Sequence, residues 1–207
     1  MIRLILILFP LTMFGSDLHD YWFGTDTTNP TERAHIWFQG GLSIDQEISD
    51  RFYSRVQDAR YGRLSDLSSS PQGRLELIIL LDQFSRNIYR GLPEAFLNDS
   101  YALSLTLEGI MQQDDLQLEP IERLFFYMPL QHAEDLSIQN LSIKKYEQLL
   151  LECDESFKPV AANALYFAKL HQKIIERFGH FPHRNQVLNR KSTEEELMFL
   201  QEKNSSF

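Results

Sequence analysis

The 207 residues contain a single cysteine, Cys153, so no intrachain disulfide can form and a zinc site built on several thiolates is excluded. By the criteria that a reactive thiol has to meet, Cys153 reads as a thiol packed on a helix. Positive charge is also in the minority. Twenty Lys and Arg against 29 Asp and Glu give a formal net charge of -9, the wrong sign for a general nucleic-acid binder, which carries a basic face to neutralise phosphates. Strand signals are nearly absent. A stretch long enough to span a membrane, about 20 apolar residues, is lacking too: the apolar run from Leu4 to Phe14 is too short, and Pro10 interrupts it.

That N-terminal run leaves two readings open. Arg3, the run itself and then Gly15 and Ser16 resemble a secretory signal, which implies export. Met13 and Phe14 stand where a signal peptidase would need small residues. The alternative is therefore a cytoplasmic chain whose first 16 residues are packed or overcalled, with translation starting at Met13. Residues 17–207 are expected to form one domain. With 43% hydrophobic and 12% aromatic residues, the chain can fill a sizeable core.

Apolar residues recur at spacings of three and four, which predicts an all-α fold of about eight or nine helices. Scarce glycine and proline mark the joints. A helix ending at Gly24 is followed by a break at Gly40-Gly41. Asp45 then stands as an N-cap for a helix with a stripe of Ile48, Phe52, Val56 and Ala59. Leu77 to Leu81 are five apolar residues in succession, and a helix apolar all round has to be central. Asp99 is expected to cap the next helix, which buries Ala102, Leu103, Leu107, Ile110 and Met111. Pro120 opens Ile121 to Met128, Pro129 breaks the chain before one helix from Leu130 to Leu151, and Pro159 opens Val160 to Phe178, which Gly179 ends. Ser192 with Glu195, or Thr193 with Glu196, makes a capping box for the last helix. Short turns favour antiparallel neighbours, stacked as helical hairpins in a short solenoid or gathered into a compact bundle.

Two polar strings stand out from this apolar background, Leu81 to Arg90 (LDQFSRNIYR) and Phe178 to Arg190 (FGHFPHRNQVLNR). Asp82, Arg86 and Arg90 are four residues apart and share a helix face. Their arginines suit a carboxylate or phosphate, with Asp82 to orient them; an ion-pair lock between helices uses the same residues. In the second string, His183, Arg184, Asn185 and Arg190 precede a helix N-terminus, where unpaired N–H groups favour an anion. The rival is a loop folded back over the domain with its arginines on helix-end carbonyls. His132, Asp135 and Gln139 fall on one face if a single helix carries them. His132 would then be a general base oriented by Asp135. His171 falls on the apolar side of its helix and calls for a buried partner, expected to be a carboxylate.

The two strings, with ERLFFYMPLQHAEDLSIQ from Glu122 to Gln139 and the tryptophans Trp22 and Trp37, resemble the bacterial domain-of-unknown-function family 924. The resemblance covers about Asp17 to Leu200 and implies a helical, tetratricopeptide-like fold without implying an activity. This chain departs from the family's pattern at Ser85 (proline), Leu92 (threonine), His180 (arginine) and Asn189 (glycine).

The functional expectations are three. The first is a binding module that holds a small anionic ligand or an acidic peptide end with Asp82, Arg86, Arg90, His183, Arg184, Asn185 and Arg190. The second is a hydrolase or transferase with His132 as base and Asp135 beside it. In the third, the polar strings are structural and the partner is another protein. No cofactor, metal site or nucleic-acid partner is expected.

Overall fold

A central helical run, residues 71–88, organises the chain, as its sequence demands. In the computed structural model, which describes residues 15–24, 33–203 and 205, this run comprises α3 (Pro71–Ile78), a π-helical turn (Ile79–Phe84) and α4 (Ser85–Ile88), met in that order after α1 (Gly15–Phe23) and α2 (Leu42–Arg60). Leu75, Leu77, Ile78, Ile79, Leu80, Leu81 and Phe84 are all at most 2% exposed. Burying each such side chain contributes roughly 1.5–3 kcal/mol. Ser70 starts the run by accepting a hydrogen bond from the Gly73 N–H, with Pro71 in the first turn.

The run is surrounded by α1, α2, α5 (Asp99–Gln112) and α6 (Pro120–Phe126). Further along, α7 (Met128–His132), α8 (Leu136–Glu152), α9 (Lys158–Phe178) and α10 (Glu194–Phe199) complete an all-helical chain with no strand among the described residues. Five residues connect α8 to α9, and the two pack along their length as an antiparallel hairpin. The remaining helices form a compact bundle, with α10 set apart from the central run and packed on α9 through Phe199, Ile174 and Ile175. The N-terminal segment read as a signal or an overcalled start lies, up to residue 14, outside the described residues. Among the described residues, no helix is long and apolar enough to cross a membrane.

Several expected boundaries hold. The α2 stripe of Ile48, Phe52, Val56 and Ala59 is buried, Pro120 and Pro159 sit in first turns, Gly179 ends α9 at φ +74°, and Thr193 with Glu196 forms the capping box of α10. Trp22 is buried, and Trp37 seals the first helices by donating its Nε1–H to the Trp22 carbonyl at 2.8 Å.

Others are corrected. Asp45 and Asp99 do not cap helices: α2 follows Gly41 and α5 follows Asn98, neither with a side-chain cap. Arginines claim both carboxylates instead, Arg90 at Asp45 (2.6 Å) and Arg86 at Asp99 (3.0 Å). The buried face of α5 is Ala102, Leu105, Thr106 and Gly109, and Met111 is 77% exposed. Close approach sets this register. A Cβ on Gly109 would lie 2.5 Å from the Phe126 ring, and the Thr106 hydroxyl lies 3.0 Å from the Phe126 carbonyl. The smallest residues of α5 therefore face α6, and larger ones are turned aside.

Candidate functional site

The junction between α7 and α8 departs most from expectation, and the polar cluster is built there. A single helix from Leu130 to Leu151 does not exist: α7 stops at His132, and α8 starts after Asp135. Asp135 is the N-cap, accepting from the Ser137 N–H at 2.8 Å and the Ile138 N–H at 3.1 Å. The Gln139 amide turns back to cap the end of α7, donating to the Gln131 and Ala133 carbonyls at 2.6 and 2.8 Å. His132, Asp135 and Gln139 therefore share no helix face.

The carboxylate on His132 is Asp82. Its Oδ1 lies 2.8 Å from His132 Nδ1 and 2.9 Å from an Arg86 guanidinium nitrogen, and its Oδ2 accepts from the Gln83 amide at 2.5 Å. The π-helical turn carries Asp82, which is completely buried. Where the family pattern has proline, the Ser85 hydroxyl donates to the Leu80 carbonyl at 3.2 Å, five residues back. Such π turns are local expansions that recur at functional sites.

Arg86 extends from Asp82 to Asp99 Oδ2 at 3.0 Å, and the same oxygen accepts from Arg184 at 3.2 Å. One carboxylate oxygen thus bridges two guanidiniums. Arg184 arrives on the 3-10 turn Pro182–Arg184 and lies between two rings, Phe96 at 4.8 Å and Phe181 at 4.6 Å. That sandwich fixes its plane and replaces some of the lost hydration. Rings link the histidines: His132 to His171 at 6.2 Å, His171 to Phe181 at 5.6 Å, and Phe181 to His183 at 5.6 Å. His171 Nδ1 bonds the Phe167 carbonyl at 2.8 Å.

The protonation states follow from this packing. Burial pushes the Asp82 carboxyl up, but the Arg86 guanidinium and His132 outweigh it and hold the group well below the usual carboxylate range. Burial, then Arg86, lowers the His132 imidazole against the opposing pull of Asp82. Burial, with His132 next, takes His171 down to about 3, and burial, with Arg184 next, takes His183 down to about 4. Arg184 falls to about 10, through burial and then Arg86. At neutral pH the cluster holds an ionised Asp82, neutral histidines and a charged Arg184.

The structure therefore brings together Asp82, Arg86, His132, His183 and Arg184. Arg90 lies apart, on Asp45, which also accepts from Asn87 at 2.9 Å. Arg190 forms a two-pronged pair with Glu134 at 2.7 and 2.9 Å, and Glu134 also accepts from the Phe181 N–H. This clamp closes the 181–190 loop over the α7–α8 junction. Asn185 holds the loop internally through Ser192, 3.1 Å away, and Asn189 turns it at φ +54°, where the family pattern has glycine. Sequence reasoning missed Asp99, Glu134 and Phe96. Asp99 was hidden by its place at a helix start, and no spacing links the other two to the cluster.

Three buried atoms of the cluster have no protein partner among the described residues: Asp99 Oδ1, His183 Nδ1 and Arg184 Nε. Asp99, Arg86 and His132 form its accessible rim, with side chains 21%, 21% and 17% exposed. A cleft of about 370 Å³ lies elsewhere, between α1 and α3. Of its ionisable groups, His19 is committed to Glu122 at 2.7 Å and Glu76 to Arg55, and Asp20 is half-exposed beside His19. Among the described residues, no three His, Cys, Asp or Glu side chains are grouped to hold a metal ion.

The family model of bacterial proteins of unknown function, DUF924, matches residues 18–204. The chain belongs to that family. This DUF924 chain is also similar to the solved structure of a protein of unknown function, ATU0120, from Agrobacterium tumefaciens. The two share 31% identity and a TM-score of 0.75, over 90% of this chain and 96% of that one. Among curated proteins, none matches.

Proposed function

We propose that this chain is a binding module for a small molecule with a single anionic group, held at Arg184 beside Arg86 and His183. The observation that carries the reading is Arg184 itself. Its side chain is buried to 6% exposure between Phe96 and Phe181, and its Nε has no protein partner among the described residues. Leaving a charged donor unpaired in such a place costs roughly 1–3 kcal/mol, which an anion's oxygen would recover.

Charge limits the ligand. Two guanidiniums, Arg86 and Arg184, face two carboxylates, Asp82 and Asp99, among neutral histidines. A monoanion is matched by one proton taken up on a histidine; a polyphosphate would need several, and each further uncompensated charge near a low-dielectric site is costly. Carboxylates, a peptide's free C-terminus and phosphodiesters meet this description. Binding is therefore expected to strengthen as the pH falls from 7.5 to 6.

A thermal-shift panel of acetate, propionate, succinate, dimethyl phosphate, orthophosphate and pyrophosphate tests the reading, with Arg184→Ala run beside the unmutated chain. A monoanion present at a hundred times its Kd adds about 2.7 kcal/mol, a shift readily seen. Stabilisation by monoanions that Arg184→Ala abolishes supports the site. A panel without effect, or one equally effective on Arg184→Ala, returns the cluster to a structural ion-pair lock, with function left to a protein partner.

A further inference from the structure

We propose that the Asp82–His132 pair is a general base that hydrolyses a phosphodiester held at Arg184. The inference rests on the binding reading above and adds a reaction to it. Asp82 is ionised and its Oδ1 lies 2.8 Å from His132 Nδ1, so the bond places the proton on Nδ1 and leaves the lone pair on Nε2. Asp82 is the positioning residue and is itself immobilised by Arg86 and Gln83. His132 ends α7, and no protein group among the described residues bonds its Nε2; the side chain is 17% exposed. A water at Nε2 would sit on the rim that His132 shares with Asp99 and Arg86. The charged groups facing it are Asp82 and Arg86 from the central run and Arg184 from the 181–190 loop, with His171 of α9 against its ring and His183 within electrostatic reach.

A phosphodiester fits because the group that is recognised is also the group that reacts. It carries one negative charge, as the balanced cluster requires, and its non-bridging oxygens suit guanidinium donors. Nε2 accepts a proton from water as the water oxygen forms its bond to phosphorus. The opposite phosphorus–oxygen bond breaks, and the departing alkoxide takes a proton from solvent. Nε2 then returns its proton to solvent. The products are an alcohol and a phosphomonoester. Charge developing on the phosphoryl oxygens would be stabilised by Arg184 and Arg86. The phosphomonoester bears a second negative charge at neutral pH, which the balanced cluster disfavours, and this aids release.

The test follows release of 4-nitrophenol from bis(4-nitrophenyl) phosphate in the presence of a chelator, with dimethyl phosphate affinity measured by calorimetry on the same samples. The unmutated chain is expected to turn over, and His132→Asn to lose about 10²–10⁴-fold in kcat, the span of a positioned acid–base group, while binding dimethyl phosphate within threefold. Asp82→Asn should move the acid limb of the pH profile to lower pH, because the carboxylate raises the His132 pKa. A ¹⁵N spectrum of the unmutated chain at pH 7.5 should give the Nδ1–H tautomer for His132 whatever the variants do. Dimethyl phosphate that binds without diester turnover, turnover unchanged in His132→Asn, a greater His132-dependent enhancement over the uncatalysed rate for 4-nitrophenyl acetate than for the diester, or an Nε2–H tautomer each overturns the catalytic proposal and leaves the binding reading standing. Absence of dimethyl phosphate binding removes the catalytic proposal, and absence of binding by every monoanion of the panel removes both.

Discussion

Acidification from pH 7.5 to 5 should destabilise this protein well before its carboxylates titrate, because the fold keeps His171 and His183 from taking protons. Their pKa values fall from 6.5 to about 3 and about 4, so between pH 6.5 and those values the unfolded chain binds more protons than the folded one. Stability from these groups is full above about pH 6.5 and is lost as the pH falls. At pH 5 the unfolded histidines lie about 1.5 pH units below their pKa, which at 1.36 kcal/mol per unit gives about 2 kcal/mol for His171. His183 is more accessible and contributes less, so the pair costs about 3 kcal/mol, a large part of a typical 5–15 kcal/mol stability. His132 adds to the loss in the same direction. His19 opposes it: Glu122 raises its pKa, so its contribution is present below pH 6.5 and lost as the pH rises through the folded value. Urea unfolding of a His19→Gln background at pH 7.5, 6.5, 5.5 and 5 isolates the cluster. A fall of about 3 kcal/mol by pH 5, reduced when His183→Gln is added, is expected. Stability that is flat or rises on acidification in that background would refute the assignment of neutral, buried histidines.

Two further substitutions probe the frame around the cluster. Asp82→Ala leaves Arg86 and His132 without their buried carboxylate and should cost about 3–5 kcal/mol in chemical denaturation, with Asp82→Asn milder because Gln83 and the hydrogen-bonding shape survive; equal stability of Asp82→Ala and the unmutated chain would contradict the network. Gly109→Ala places a methyl 2.5 Å from Phe126 and 2.6 Å from Arg74 Cδ, so a loss of about 1–3 kcal/mol from overpacking is expected in thermal unfolding, and an unchanged Tm would show that α5 has slack against α6.

Much of the fold was legible because it depends on local rules. Five consecutive apolar residues, Leu77 to Leu81, identified the central helix, and Gly179, Pro120 and the Thr193–Glu196 box set helix ends through backbone chemistry that neighbouring residues determine. Expectations failed where a short polar side chain had two uses. Asp45 and Asp99 each stand at a helix start and look like caps, yet arginines 45 and 13 residues away take them. The same ambiguity hid the α7–α8 break. Asp135 was read as an interior residue facing His132, and only the fold shows that it is a cap and that Asp82, 50 residues distant from His132, is the partner. Residue types at the cluster were visible in sequence; their pairing was not, since nothing local records which carboxylate reaches which base. Arg90 and Arg190 show the converse. They carry the same charge as Arg86 and Arg184 but meet Asp45 and Glu134 in two-pronged pairs, with Arg190 Nε left without a protein partner among the described residues.

The central claim, that Arg86, Arg184 and His183 hold an anion beside His132 and His171, is tested most directly by a ¹⁵N-resolved titration of all the histidine rings with dimethyl phosphate at pH 6.5. The account predicts that His132, His171 and His183 shift together along one saturable curve, that His183 gains the proton as the anion enters while His132 keeps its neutral Nδ1–H form, and that His19, His35 and His180 remain in place. Shifts confined to His19 and His180, or no saturable shift in any ring, would contradict it.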